Sequence, residues 1–288
     1  MKFLYRMELD FDAPVHEHHF TMKCLPRSSC RQIISDLRFA IDPDVRVWRG
    51  RDGFGNIKLM GYLKQPHDHI QVCVSGRALV DGVMDREKSQ FFPYGCMKYA
   101  SALTKAGPAI RAIHQKTREK AEKAESGLHF YRRKPELIFA AAAMEAVHEA
   151  LAYIPGSTGV CTSAEQAARA GRGVCQDFAQ VMLAVLRMEA IPCRYVCGIL
   201  AGEGESHAWV EVFSDGAWTG FDPTNLIPAD ERHLVISYGR DARDCRINQG
   251  VFLGLDNGIV CQRQNIICKT IQYGDYYDKN DSISRISC

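Results

Sequence analysis

Apolar and polar residues alternate strictly at the start of the chain. Phe3, Tyr5, Met7, Leu9 and Phe11 occupy every second position, the period of a half-buried strand. Residues 57 to 63 and 69 to 80 are again strand-like, and Asp52-Gly53-Phe54-Gly55-Asn56 is a dense turn signal ahead of them. No helical period of useful length appears in this part. The pattern predicts a small β-sandwich-like domain over residues 1–90.

The character changes near Phe91-Phe92-Pro93-Tyr94. After Pro108, the segment AIRAIHQKTREKAEKAES is charged along its length, with Glu119 and Lys123 at i,i+4 spacing. It predicts a solvated helix, broken by Gly127 and the stretch HFYRRKP. Pro135 suits a first helical position, and the Ala- and Glu-rich run to Tyr153 predicts a second helix. Thr162-Ser163-Ala164-Glu165 reads as a capping box opening a short third one.

Phe178, Val181, Met182, Val185 and Leu186 then fall on the apolar stripe of a packed helix, which Pro192 ends. His207, Trp209, Glu211 and Phe213 alternate with Ala208, Val210 and Val212, a clear strand. Ser214-Asp215-Gly216 is a hairpin turn signal, and residues 217–222 return. From about residue 226 the pattern fades, through a tail with Cys261, Cys268, Tyr276-Tyr277 and Cys288. The expected fold class is α+β, with helices followed by an antiparallel sheet in the second domain. The expected division is 1–90 for the β-domain, 91–235 for the core, and 236–288 for an extension packing on either.

Composition removes several function classes. The chain has 288 residues, enough for one or two domains, and net charge +2 from 36 basic and 34 acidic residues. That balance gives no electrostatic argument for nucleic acid or anionic membrane as a partner. No apolar run approaches the roughly 18 to 20 residues that span a bilayer. The start MKFLYRMELDFDAPV lacks the apolar core of an export signal, so a cytoplasmic location is expected. Twelve cysteines occur, without any C-x-x-C pair. They fit neither a zinc module nor a disulfide framework and are expected to be mostly reduced, half-buried residues. His16-Glu17-His18-His19 reads as a polar stretch on an edge strand. Neither a metal nor a cofactor is called for.

Candidate chemistry centres on Cys175. Gly171 and Gly173 precede it, and it opens the apolar helix. Unpaired N–H groups and the positive end of the dipole at a helix N-terminus favour a thiolate. With Asp215-Gly216 as a two-residue loop, Ser214 faces Ala217, so Asp222 faces Trp209. His207 is then the diagonal neighbour of Asp222, within reach of its carboxylate. Each residue alone has a structural explanation: a buried thiol, a satisfied histidine, a turn aspartate. Together they provide a nucleophile, a base and an acid that orients the base. Such a set performs acyl transfer at an amide or ester, and the Cys175 N–H is available to an oxyanion. Tyr153, Gln176 and Trp209 are further candidates for the oxyanion site or the cleft wall, as is Trp218 for the wall. The loop Ala201-Gly202-Glu203-Gly204-Glu205 is a candidate flexible gate.

These residues resemble the transglutaminase-like superfamily. The resemblance rests on Gly173-Val174-Cys175-Gln176-Asp177-Phe178-Ala179, Ile191-Pro192-Cys193-Arg194-Tyr195-Val196 and Ser206-His207-Ala208-Trp209-Val210-Glu211-Val212, then Trp218 and Phe221-Asp222-Pro223-Thr224-Asn225. Pro14-Val15, Leu25-Pro26-Arg27 and residues 52–56 are similar to the N-terminal β-domain of its bacterial two-domain branch. Tyr238-Gly239-Arg240-Asp241 and Gly250-Val251-Phe252 are similar to that branch's continuation. Cys193 and Gln180 depart from the usual pattern. The resemblance implies a transglutaminase- or papain-like core of helices packed on an antiparallel sheet. It also implies Cys175 as nucleophile, His207 as base and Asp222 as orienting acid. Three functions stay open: a peptidase or amidase acting on peptide or protein amides, a protein-glutamine transglutaminase, and a non-catalytic binding module.

Overall fold

A computed structural model of the protein describes residues 1–81, 94–124, 134–254 and 260–271. The junction at residues 91–93, the break at Gly127 and the tail with Tyr276, Tyr277 and Cys288 lie outside them. The N-terminal strands are β1 (Lys2–Met22), β2 (Gln32–Asp42), β3 (Val47–Arg51), β4 (Ile57–Leu63) and β5 (His67–Val80). Helices α1 (Tyr94–Met97), α2 (Pro108–Ala124) and α3 (Pro135–Ala150) follow. Then come β6 (Ala152–Tyr153), α4 (Ala164–Ala170), β7 (Arg172–Gly173) and α5 (Cys175–Met188). The remaining strands are β8 (Cys193–Leu200), β9 (Glu203–Gly204), β10 (His207–Ser214), β11 (Ala217–Asp222), β12 (Ile227–Pro228), β13 (His233–Gly239), β14 (Asn248–Gly254) and β15 (Gln262–Ile271).

β1 organises the first sheet. It is 21 residues long and carries two partners along each side. β5 pairs its first half and β4 its second. On the opposite edge, β15 pairs residues 2–11 and β14 pairs residues 15–22. The result is an eight-stranded antiparallel sheet curled into a half-barrel. The alternating Phe3, Tyr5, Met7, Leu9 and Phe11 all point into its core. Ile199, Leu234 and Ile236 of β8 and β13 join that same core, so the second layer of the sandwich is the sheet of the C-terminal half.

Placing β1 at the centre corrects the reading of His16 to His19 as an edge stretch. His18 is fully buried and its ring stacks on His67 at 5.3 Å, with Nδ1 and Nε2 3.1 Å apart. Burial, then the neighbouring His67 and His19, lower its pKa to about 4.

The second sheet runs β12-β11-β10-β8-β13. Its β13 edge is sealed by two carboxamides from the half-barrel. Asn56 accepts from the Tyr238 N–H at 3.0 Å and donates to the Tyr238 carbonyl at 2.7 Å. Gln32 does the same at Val235, at 2.9 and 2.8 Å. An edge strand needs such partners for its buried backbone groups. The Asp52–Asn56 turn thus has a purpose: Asp52 accepts from the Phe54 and Asn56 N–H groups and holds Asn56 against β13. Between the sheets lies a buried charge triad. Glu211 has no exposed surface and accepts from Arg31 and Arg194, each at 2.7 Å. The Arg194 guanidinium is also sandwiched between the Trp218 and Tyr238 rings, 4.0 Å from each.

α5 carries the predicted stripe but is buried on every side from Asp177 to Arg187, as befits a central helix. Arg187 is buried with it, donating to Thr104 and to the carbonyls of Met97, Cys193 and Arg240. The box opening α4 is one residue later than the sequence suggests: Ser163 caps, with Gln166 as its partner. Glu165 instead accepts from the N–H groups of Gly107, Ala109 and Ile110 at the start of α2. None of the eleven cysteines among the described residues forms a disulfide. Burial pushes Cys24, Cys197 and Cys268 up to about 12 and Cys193 to about 11. Among the described residues, no helix is long and apolar enough to cross a membrane.

Removing Glu211 leaves two guanidinium groups buried without their anion. Glu211→Ala is expected to destabilise the protein by about 3–5 kcal/mol, read as the shift of the denaturant midpoint at unchanged slope.

Candidate active site

Cys175 is set at the head of α5 by a short local construction. β6 and β7 pair in parallel, Ala152 with Arg172 and Tyr153 with Gly173, which brings Tyr153 beside Cys175. Val174 cannot cap α5 with its own side chain. Asp177 folds back and accepts from the Val174 N–H at 2.8 Å and from the Thr158 hydroxyl at 2.6 Å. A Cβ on Gly173 would lie 2.5 Å from that of Asp177, so glycine makes this fold-back possible. The first backbone bonds of α5 run from Asp177 and Phe178 to the Val174 carbonyl. The N–H groups of Cys175 and Gln176 precede them, at the positive end of the dipole.

The hairpin has the register the sequence implies. Ser214 pairs with Ala217 and Val210 with Phe221, through a turn with positive φ at Asp215 and Gly216. This leaves Asp222 diagonal to His207, and His207 Nε2 lies 2.7 Å from Asp222 Oδ2. The Cys175 thiol lines the same cleft as this imidazole and acts to raise its pKa. With Nε2 engaged by the carboxylate, Nδ1 is the nitrogen left for sulfur. The thiol also lies 4.0 Å from the Ser206 carbonyl.

Asp222 has no exposed surface. It accepts from the Thr224 N–H at 3.0 Å, the Asn225 N–H at 3.2 Å and the Asn225 side chain at 2.8 Å. His233 Nε2 approaches it at 3.4 Å, while His233 Nδ1 accepts from the Asp230 N–H at 3.1 Å. Burial works to raise the Asp222 pKa, but the bonds from His207 and His233 and the nearby charge hold it well below the carboxylate range. Burial likewise works to lower His207, yet Asp222 and then Cys175 raise it from 6.5 to about 9. The two shifts are the two sides of one ion pair.

Cys175, His207 and Asp222 are thus brought together. Tyr153 and Gln176 line the same cleft, of about 670 Å³. Burial, then Cys175 and Glu205, raise the Tyr153 pKa. Trp209 is not in the wall. It is fully buried and stacks under the His207 ring at 6.2 Å, because residues two apart on a strand share a face. Trp218 is buried against Arg194 instead. The loop before His207 is no free gate: β9 pairs with β15, and the Gly202 N–H donates to Thr270 at 2.7 Å.

Two contributors escaped sequence reading. His233 lies in the weakly patterned region. Asn225 had a signal, since Asp-Pro-Thr-Asn is a turn in which the first side chain accepts from later N–H groups. The ligating atoms of His207, Asp222 and His233 lie within 4.8 Å of one another, close enough to hold a metal ion. In this arrangement they are engaged with each other.

Comparison with known proteins agrees with this fold. Residues 131–223 match the transglutaminase-like superfamily, and residues 2–78 match the bacterial transglutaminase-like N-terminal region. The protein belongs to the transglutaminase-like superfamily and carries that bacterial N-terminal region. It is 29 % identical over 271 residues to the uncharacterized protein ML0607 of Mycobacterium leprae, spanning 85 % of this chain and 90 % of that one. It is 26 % identical over 260 residues to the uncharacterized protein Rv2569c of Mycobacterium tuberculosis, spanning 82 % of each. Its fold is similar to a crystal structure from Cytophaga hutchinsonii described as a "Putative Cysteine Protease", with TM-score 0.64, 19 % identity, and 94 % and 91 % of the two chains covered.

The pKa shifts fix a sign. The raised His207 contributes its full stabilisation below pH 6.5 and loses it as pH rises through about 9. The depressed Asp222 contributes above its ordinary 3.8 and loses it as pH falls below that. In Asp222→Asn only the burial of the ring and its thiol neighbour remain. The His207 titration, followed by proton NMR, is expected to drop from about 9 toward or below 6.5.

Proposed function

We propose that the protein is a cysteine-dependent acyl-transfer enzyme that hydrolyses amide bonds in peptides or proteins. The observation that carries this reading is the His207 ring, held by Asp222 at 2.7 Å and sharing one cleft with Cys175 at the head of α5. His207 takes the thiol proton, and the resulting thiolate attacks the amide carbonyl carbon. The tetrahedral oxyanion forms beside the Cys175 N–H, with Tyr153 and Gln176 as neighbouring donors. The imidazolium then protonates the leaving amine as the C–N bond breaks, and a thioester remains. Water, giving a proton to His207, attacks the thioester, and the acid leaves as sulfur regains its proton. Asp222 holds the ring and stays ionised throughout.

Transfer to an amine is the second reading, since the same thioester serves both. It requires an amine to outcompete water at the acyl carbon. A binding module without chemistry is the third, and the intact Cys-His-Asp set argues against it.

The test uses peptide mixtures with and without a primary amine, in water enriched with heavy oxygen, read by mass spectrometry. New carboxylates carrying the label are expected, with Cys175→Ala inactive and Asp222→Asn reduced at least about 100-fold. Amine adducts in place of labelled acids would establish the transglutaminase reading. Equal turnover by wild type and Cys175→Ala would refute both.

A further inference from the structure

The wall of the cleft facing Cys175 comes from the C-terminal part of the chain. Arg246 and Asn248 lie on it, followed by Gln262, Gln264 and Ile266, alternate positions of β15. This wall and the nucleophile's side are rich in carboxamides and poor in charge. Glu205 is exposed at the rim, and His207 is already ion-paired with Asp222. Arg246 is the remaining charged side chain lining the cleft among the described residues.

Arg246 is held in place but poorly satisfied. The next residue, Ile247, accepts from the Lys23 N–H at 2.8 Å, so the backbone here is fixed to the half-barrel. The Arg246 Nη2 reaches the Cys161 sulfur at 3.7 Å, a weak acceptor. Its Nε is buried and has no partner, and neither has the Asn248 carboxamide oxygen. A guanidinium N–H withdrawn from water without an acceptor is costly. The Nη2 group, which meets only that weak acceptor among the described residues, keeps donor capacity for a ligand in the cleft. A guanidinium matches the oxygens of a carboxylate in charge and geometry. A phosphate, with its larger charge, would call for further cations, which this wall does not offer among the described residues.

We propose that Arg246 binds a carboxylate of the substrate, and so selects the amide presented to Cys175. The inference rests on Cys175 being the reacting group, and it defines the substrate class: peptides with a carboxylate near the scissile amide. That carboxylate is either the chain terminus or an acidic side chain.

The test separates the two ideas by alkylating each cysteine and reading all of them by mass spectrometry. The reagents are N-iodoacetyl-glycine, its β-alanine and γ-aminobutyrate homologues, and the matching carboxamides. N-iodoacetyl-glutamate α-amide, against N-iodoacetyl-alanine, distinguishes a side-chain carboxylate from a terminal one. The exposed Cys30 is the internal reference. The carboxylate-to-carboxamide rate ratio at Cys175, divided by that at Cys30, is expected to reach about tenfold for at least one chain length. Arg246→Gln brings it to about one, and Arg246→Lys keeps part of it. Because each ratio is taken within one protein, a general loss of reactivity in a variant cancels. A normalised ratio near one in the wild type at every length overturns the carboxylate site, however fast Cys175 reacts. A high ratio at a Cys175 that reacts no faster than Cys30 supports the carboxylate site and removes the nucleophile reading instead.

Discussion

Asp222 carries its charge in a place where a lone carboxylate would be protonated. It has no exposed surface, and burial alone favours the neutral acid. Five donors reverse that preference: the His207 and His233 rings, the Asn225 side chain and the N–H groups of Thr224 and Asn225. These come from β10, from β13 and from the turn after β11. One carboxylate therefore fixes three segments of the sheet relative to one another. The orientation of His207 follows from it, and the side of the ring offered to Cys175 follows from that orientation. The remaining requirement, a thiol at the end of a helix, is met independently by α5, whose apolar contacts surround it completely.

The half-barrel is part of this arrangement. It covers the edge of β13 with Gln32 and Asn56, and it sends Arg31 to Glu211 on β10. β10 also begins with His207. The strand holding His207 is thus tied to the N-terminal half through a buried ion triad, whose separate removal on either side leaves an uncompensated charge. The C-terminal strands add the facing wall of the cleft. The candidate site lies where both sheets meet, although His207 and Asp222 belong to one of them and Cys175 to the helix packed against it.

What sequence reading recovered, and what it missed, follows from where each residue's partners lie. Cys175, His207 and Asp222 were legible because each sits on a strongly periodic element, and because a two-residue turn sets the hairpin register locally. Trp209 was misplaced because alternation tells that it shares a face with His207 but not which layer covers that face. His233 was invisible: its partner carboxylate is reached across the sheet, not along the chain. β15 escaped for a different reason. Its Gln262 and Gln264 line a polar cleft while its other face is largely exposed, so no alternation of apolar and polar residues marks it as a strand. The buried His18 was read as polar surface because its partner His67 arrives from another strand, and a stacked pair in an apolar setting looks the same in sequence as a solvated run.

The pairing of Lys2 with Ile271 joins the two ends of the described chain in one ladder. On a ribosome the first strand emerges long before the last. β1 can meet β4 and β5 early, but the edge that takes β14 and β15 stays open until residues 248–271 have been made. Contacts so distant in sequence form slowly, and an unpaired strand edge is exposed to other chains in the interval. The wall bearing Arg246 and Gln262 is completed by the same late event. The thiol and its histidine can therefore come together before the cleft around them is closed, since the facing wall is added only once β15 has been made.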